Sequence, residues 1–151
     1  MALGGRAYGS ATPVGIMKLL DNYNIELEGK NSVVIGRSSI LGKPLAMMLL
    51  NKNSSVNICH SKTKNLSDVV RQADFVFACV GRPKFVKGDW IKKGAIVVDA
   101  GYNKEGVGDV DLEEVMKICS AYTPVLGGVG PMTISTLLSQ TIDSAEKRYD
   151  L

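Results

Sequence analysis

The residues best suited to bind a ligand lie in the segment GRSSILGKP, which starts at Gly36 and follows the first apolar run of the chain. Glycine lets a backbone approach a ligand closely, and the first N–H groups of a helix bind phosphate. The P-loop pattern G-x-x-x-x-G-K-[S/T] is not met, because five residues separate Gly36 from Gly42 and Pro44 replaces the magnesium-binding hydroxyl. The Rossmann pattern G-x-G-x-x-G is not met either, since Ser38 replaces its second glycine. A pyrophosphate-binding turn and a simple strand-to-helix turn both remain compatible with the segment.

A second group of polar residues, CHSKTK at 59–64, follows the second predicted strand. An NAD-binding Rossmann domain usually carries Asp or Glu at this place, where the carboxylate binds the ribose 2′-hydroxyl. This segment has no carboxylate. Arg37 of the first loop and Ser61 and Lys62 of the second supply cationic and hydroxyl groups that suit a 2′-phosphate, so the sequence favours NADP over NAD. In the alternative interpretation, Lys62 and Lys64 are solvated surface charges, as most lysines are.

The remaining reactive side chains form no recognisable catalytic or metal site. His60 is the only histidine, and we expect it to pack or to cap a turn rather than to act as a general base. Asp99 ends a predicted strand and is expected to accept hydrogen bonds from loop N–H groups. The three cysteines lie far apart without a C-x-x-C pattern, which favours reduced, structural thiols. No catalytic residue and no metal ligand is predicted.

Alternating strands and helices must position these loops. Nearly continuous apolar runs predict buried strands, as parallel sheets covered on both faces require. Right-handed crossovers then give an α/β fold with a doubly wound, mostly parallel sheet, a Rossmann-like dinucleotide-binding domain whose ligands bind at the carboxyl ends of the strands. The predicted strands are 31–36, 55–60, 74–81, 95–101 and a short one at 121–124. The first predicted helix starts at Thr12. The other predicted helices span 41–52, 65–73, 111–120 and 134–148, and a helical turn is predicted at 88–94.

Length and composition fit one cytosolic domain. The 151 residues are 45% hydrophobic and 22% charged, and the net charge of +3 is dispersed, which does not favour nucleic acid as a partner. No apolar run is long enough to cross a bilayer, and no signal-peptide core is present, so no membrane partner is expected. Residues 1–12 are rich in Gly, Ala and Ser and predict a linker to something upstream, and residues 13–151 form the predicted domain.

Six segments match one known family in order and spacing. They are TPVGI, GRSSILGKP, CHSKT, GDWIKKGAIVVDAGYN, VGDVD and GGVGPMT, between Thr12 and Arg148. Together they resemble the nucleotide-binding domain of the bifunctional methylenetetrahydrofolate dehydrogenase/methenyltetrahydrofolate cyclohydrolase family. Two positions differ from the usual family pattern, since Leu126 replaces a proline before GGVGPMT, and SATP replaces PCTP.

The resemblance implies a site for NADP that spans Gly36, Arg37 and Ser38 and includes Ser61. Tyr102 stands where the family usually has an isoleucine whose backbone approaches the nicotinamide. The segment GGVGPMT resembles the family loop beside folate and nicotinamide, which makes four residues substrate-proximal: Gly127, Gly128, Val129 and Gly130.

The family reaction transfers a hydride from 5,10-methylenetetrahydrofolate to NADP⁺ and then hydrolyses the methenyl cation to 10-formyltetrahydrofolate. The resemblance therefore implies the cofactor-binding part of a multifunctional oxidoreductase and hydrolase of one-carbon metabolism, in a homodimer. In the family, a separate N-terminal domain holds the folate and carries a catalytic lysine in a Y-x-x-x-K pattern, which this sequence lacks. We therefore expect this chain to be inactive alone. The alternative is a non-catalytic module for nucleotide binding or dimerisation.

Overall fold

The computed structural model describes residues 7–149, except for the side chains of Glu105 and Tyr149. Part of the predicted linker, residues 1–6, and the last two residues of the predicted domain lie outside the described residues. The helices are α1 Ala11–Asn22, α2 Gly42–Asn51, α3 Leu66–Arg71, α4 Leu112–Val115 and α5 Val129–Tyr149. The strands are β1 Asn31–Ile35, β2 Ser55–Cys59, β3 Phe75–Ala78, β4 Ile96–Asp99 and β5 Ala121–Tyr122, and two 3₁₀ turns span Gly88–Trp90 and Lys104–Gly106.

The five strands form one parallel sheet in the order β2-β1-β3-β4-β5. At its carboxyl edge, Ile35 pairs with Cys59 of β2 and with Ala78 of β3, and Ala78 pairs with Asp99 of β4. The chain runs from β1 to β2 on one side and then returns to place β3 on the other side. The doubly wound parallel sheet is thus confirmed, and β1 and β3 flank the point where ligands bind in such sheets.

The three central strands, β1, β3 and β4, are buried on both faces, which explains their continuous apolar sequences. One face packs against α3 and α4 through alternate residues: Val33, Ile35, Val76, Ala78 and Val97. The other packs against α1 and α2 through the intervening ones: Val34, Phe75, Phe77 and Val98. Each fully buried Val, Leu, Ile or Phe side chain contributes about 1.5–3 kcal/mol relative to an exposed one. These two layers of core hold the carboxyl edge of the sheet in place.

Helix α5 begins at Val129, five residues before the predicted start at 134, so the predicted loop at 127–133 is largely helical. The prediction treated the glycines as loop residues. Gly130 instead adopts helical geometry, and of the three glycines at 127–130 only Gly127 has a positive φ, of 81°. Pro131 lies in the first turn, where its missing N–H has no intrahelical partner to lose. Val129 and Gly130 therefore belong to the helix rather than to a loop.

Helix α4 is shorter than the predicted span 111–120. The carbonyl of Ile118 accepts a hydrogen bond from the N–H of Gly94, and the N–H of Ser120 donates to the carbonyl of Ala95. These bonds to the turn before β4 draw the chain out of helical geometry, so tertiary contacts override the local helix pattern.

Candidate functional site

The turn from β1 into α2 closes on two glycines. Gly36 has a φ of 133°, and a Cβ there would overlap the carbonyl oxygen of Cys79 at the end of β3. A Cβ at Gly42 would overlap the carbonyl oxygen of Gly36 itself. Both positions therefore require glycine because backbones approach closely, and the turn brings the end of β1 against the end of β3.

Ser38 caps the start of α2. Its Oγ accepts hydrogen bonds from the N–H groups of Leu41 and Gly42, at 3.2 and 3.3 Å, and its carbonyl accepts from Lys43 at 3.1 Å. Within residues 7–149, the N–H groups of 37–40 donate to no protein acceptor. The turn thus has four consecutive unpaired N–H groups just before the start of α2, and these are available to a phosphate.

Arg37 is exposed, and its guanidinium pairs with no carboxylate of the described part of the chain. The N–H of Gly36 donates to the carbonyl of Cys59 at 2.8 Å, so the loops after β1 and β2 start side by side. Ser61 and Lys62 of the second loop are also exposed. The structure thus brings Arg37 and Ser61 to neighbouring strand ends, in a region of positive charge.

His60 has the capping role that the sequence predicted. Its Nδ1 accepts a hydrogen bond from the N–H of Lys62 at 3.1 Å, and its own N–H donates to Thr63 Oγ1 at 2.9 Å. These bonds fix the second loop and place the exposed Ser61 at its tip.

The loop after β3 is held by Asp109, which the sequence analysis did not single out. Its fully buried carboxylate accepts hydrogen bonds from the N–H groups of Val80 at 2.6 Å, and of Gly81 and Arg82, both at 2.8 Å. Asn103 Nδ2, from the loop after β4, donates to the same carboxylate at 3.0 Å. The only sequence signal was the acidic segment VGDVD, which does not indicate which groups donate hydrogen bonds to Asp109.

Asp99 accepts hydrogen bonds from loop N–H groups, as predicted. Its donors are Gly101 at 2.9 Å, Asp109 at 3.1 Å and Val110 at 3.0 Å. Burial raises the pKa of Asp99, the three N–H donors oppose that rise, and the nearby charge of Asp109 adds to it. The two carboxylates together organise the loops after β3 and β4.

The predicted position Tyr102 and the buried thiol of Cys79 lie at the same edge of the sheet. Tyr102 follows β4, and its side chain is 79% exposed. Cys79 follows β3, and burial, with a smaller effect of Asp109, raises the pKa of its thiol to about 12. This thiol stays protonated at neutral pH and is not an activated nucleophile.

The glycine-rich segment from Gly127 to Gly130 follows β5 and enters α5. A Cβ at Gly128 would overlap the carbonyl of Pro124, so the turn is tight. Gly127 and Gly128 border an apolar groove of about 600 Å³, which lies between α1, β4, β5 and the start of α5 and includes Tyr122, Pro131 and Met132. Two of the four predicted substrate-proximal residues, Gly127 and Gly128, thus adjoin a groove on one side of the sheet, and Val129 and Gly130 do not line it.

Among the helices of residues 7–149, none combines the length and apolar character of a membrane span. Within the same range, no three His, Cys, Asp or Glu side chains are grouped so as to hold a metal ion.

Comparisons with known proteins agree with this geometry. The family model described as tetrahydrofolate dehydrogenase/cyclohydrolase, NAD(P)-binding domain, matches residues 10–149. The bifunctional protein FolD of Acidobacterium capsulatum is 63% identical over 147 residues, which are 97% of this chain and 52% of that protein. The corresponding protein of Cellvibrio japonicus is 61% identical over 148 residues, 98% of this chain and 53% of the relative.

Solved structures of the same enzymes superpose closely. The bifunctional FolD enzyme of Campylobacter jejuni has a TM-score of 0.94 at 51% identity, over 97% of this chain and 54% of that one. The Trypanosoma brucei enzyme, solved with NADP cofactor and inhibitor, has a TM-score of 0.92 at 36% identity, over 100% of this chain and 55% of that one. The present chain spans about half the length of these relatives. It belongs to the NAD(P)-binding domain family of the tetrahydrofolate dehydrogenase/cyclohydrolases.

Proposed function

We propose that this chain binds NADP for a methylenetetrahydrofolate dehydrogenase/methenyltetrahydrofolate cyclohydrolase. The observation that carries the proposal is the unpaired Arg37 beside Ser61, at neighbouring strand ends whose loops contain no carboxylate. An Asp or Glu at this place would select NAD, whereas cationic and hydroxyl groups suit the 2′-phosphate of NADP. A relative crystallised with NADP, at 36% identity, supports the same cofactor.

The protein groups present fit this cofactor. The turn at 36–38 has no room for a Cβ at Gly36, and the unpaired N–H groups that follow suit a pyrophosphate. Arg37 and Ser61 would contact the phosphorylated ribose, and the backbone at Tyr102 would lie on the nicotinamide side. Bound NADP⁺ supplies the hydride acceptor, and the work of this chain is to hold and orient it.

The folate partner would be held by a separate domain that carries the catalytic lysine. The relatives are about twice as long as this chain, which leaves room for such a domain in them. Three apolar side chains one helical turn apart on α5, Ile134, Leu138 and Ile142, are 58–63% exposed. We propose that this α5 stripe packs against the folate-binding domain, and that this chain alone binds cofactor without turnover.

A homodimer and a cytosolic location are further proposals, drawn from the family resemblance and the composition. Strand β2 is an edge strand of the described sheet. Its outer backbone groups support pairing with a second copy. The alternative function, a non-catalytic nucleotide-binding or dimerisation module, would use the same cofactor turn without a folate partner.

Calorimetric titration of the purified chain with NADP⁺ and with NAD⁺ tests the proposed cofactor. We expect NADP⁺ to bind at least about tenfold more tightly, because one charge-assisted contact to the 2′-phosphate contributes about 1.5–3 kcal/mol. Equal affinity, or tighter binding of NAD⁺, would contradict the assignment.

A further inference from the structure

Asp109 joins two loops that are distant in sequence. Its Oδ2 accepts the N–H groups of Val80 and Gly81, and its Oδ1 accepts the N–H of Arg82 and the side-chain amide of Asn103. The first three donors follow β3 and the fourth follows β4. One buried carboxylate thus fixes the two loops relative to each other.

Three consecutive N–H groups that converge on one point form an anion-binding nest. Here the anion is part of the chain, so the loop after β3 has its shape before any ligand arrives. Asp109 is itself held, because its N–H donates to Asp99 Oδ1 at 3.1 Å. A Cβ at Gly101 would overlap the Asp109 carboxylate, and a Cβ at Gly108 would overlap that of Asp99. The arrangement therefore tolerates little displacement.

These loops lie where the far half of the cofactor would reach. A dinucleotide crosses the carboxyl edge of a doubly wound sheet at the point where the strand order reverses. With its phosphorylated ribose at Arg37 and Ser61, beside β1 and β2, its nicotinamide half extends toward β3 and β4. Gly81 is exposed there, and a Cβ added to it would meet no atom of the described residues within 4 Å, so there is open space beside this loop.

We propose that Asp109 is a positioning residue for the nicotinamide half of NADP. It acts through the loops after β3 and β4, and its buried carboxylate does not contact the cofactor. The inference rests on the proposed NADP site. It predicts that loss of this carboxylate affects one half of the cofactor and leaves the other half nearly unaffected.

The test is Asp109→Asn, titrated with NADP⁺ and with adenosine 2′,5′-bisphosphate, which carries the phosphorylated ribose but no nicotinamide. Asparagine keeps the shape but replaces one acceptor oxygen by an NH₂ group that faces N–H donors. We expect the Kd for NADP⁺ to rise at least about tenfold and that for the bisphosphate to change less than about twofold. The fluorescence of bound NADPH, which reports the surroundings of the nicotinamide, should shift toward that of free NADPH.

Asp111→Asn is the matched control, two residues away in the same segment. Asp111 pairs with Lys87 at 3.1 Å and with Lys84 at 3.8 Å, and among the described residues no loop N–H group donates to its carboxylate. This variant should bind both ligands like the wild type.

If Asp109→Asn fails to fold, Asn103→Ala removes only the bond from the loop after β4 and should give the same selective loss, about threefold or more.

The outcomes separate the two proposals. Equal losses for NADP⁺ and the bisphosphate in a folded variant, or no loss for either, would overturn the role of Asp109. Failure of the wild-type chain to bind either ligand would instead overturn the proposed NADP site.

Discussion

At the scale of single residues, we propose that Arg37 sets the preference of the site for NADP over NAD. Its guanidinium is exposed and pairs with no carboxylate in the described range, so its charge is available to a ligand. The neighbouring Ser61 adds a hydroxyl and no competing charge. An exposed guanidinium can bind a phosphate through two parallel hydrogen bonds, which suits the 2′-phosphate of the proposed cofactor.

Arg37→Ala should remove most of the preference for NADP⁺. The loss of one charge-assisted contact should weaken NADP⁺ binding about tenfold to a hundredfold and leave NAD⁺ binding nearly unchanged. Lys64→Ala is the control, because Lys64 is also an exposed cation of these loops and is interpreted as a surface charge. Calorimetry on both variants checks this, and an unchanged ratio of affinities in Arg37→Ala would count against the site.

At the scale of elements, the turn from β1 into α2 depends on glycine for packing as well as for conformation. Gly36 combines a φ of 133° with close contact to the Cys79 carbonyl, so its replacement strains both β1 and β3. The carboxyl ends of β1 and β3 therefore contact each other at Gly36.

Gly36→Ala should lower the free energy of unfolding by about 2–4 kcal/mol, since it adds an overlap with backbone to an unfavourable φ. Gly29→Ala separates the two effects. Gly29 has a φ of 69°, but an added Cβ meets no atom within 4 Å, so its cost should be about 1 kcal/mol. Urea unfolding of the three proteins gives these values, and similar losses in both variants would show that overlap with Cys79 is unimportant.

At the scale of the whole molecule, the domain presents a sheet edge for the proposed cofactor and an exposed apolar stripe on α5 for the proposed second domain. Helix α1 packs closely on α5, where a Cβ at Gly15 would lie 2.9 Å from the carbonyl oxygen of Met132. The opposite, exposed side of α5 carries the stripe of Ile134, Leu138 and Ile142. A second domain seated on this stripe would be held in a fixed position relative to the sheet.

Mixing the chain with the separately produced N-terminal half of a close relative should restore hydride transfer, measured as NADPH formed from methylenetetrahydrofolate. Leu138→Glu should reduce this activity at least about tenfold, because the proposed contact with the second domain would bury an unpaired charge, which is costly. Binding of NADP⁺ should stay unchanged. Met116→Glu, at a 48% exposed apolar position after α4, is the control and should behave like the wild type. Turnover by the chain alone would contradict the need for a second domain, and no activity in any mixture would favour the non-catalytic module.

Sequence patterns predicted the elements well where local physics decides the structure. The β-branched runs around Val33 and Val97 predicted parallel strands, because both of their faces are buried. The prediction was wrong at the start of α5, because glycine and proline in GGVGPMT have helical as well as loop conformations available. It was also wrong at the end of α4, where bonds to Gly94 and Ala95 replace helical ones.

The sequence by itself determined the parallel sheet, the position of the proposed cofactor site and the missing carboxylate after β2, since each follows from residue types along one stretch of chain. Only the tertiary structure showed how Asp109 is used. Its three N–H donors lie 27 to 29 positions away, and nothing in the spacing of VGDVD indicates them. A buried carboxylate acquires its partners when β3 and β4 pair side by side, so its role depends on contacts that exist only in the folded chain.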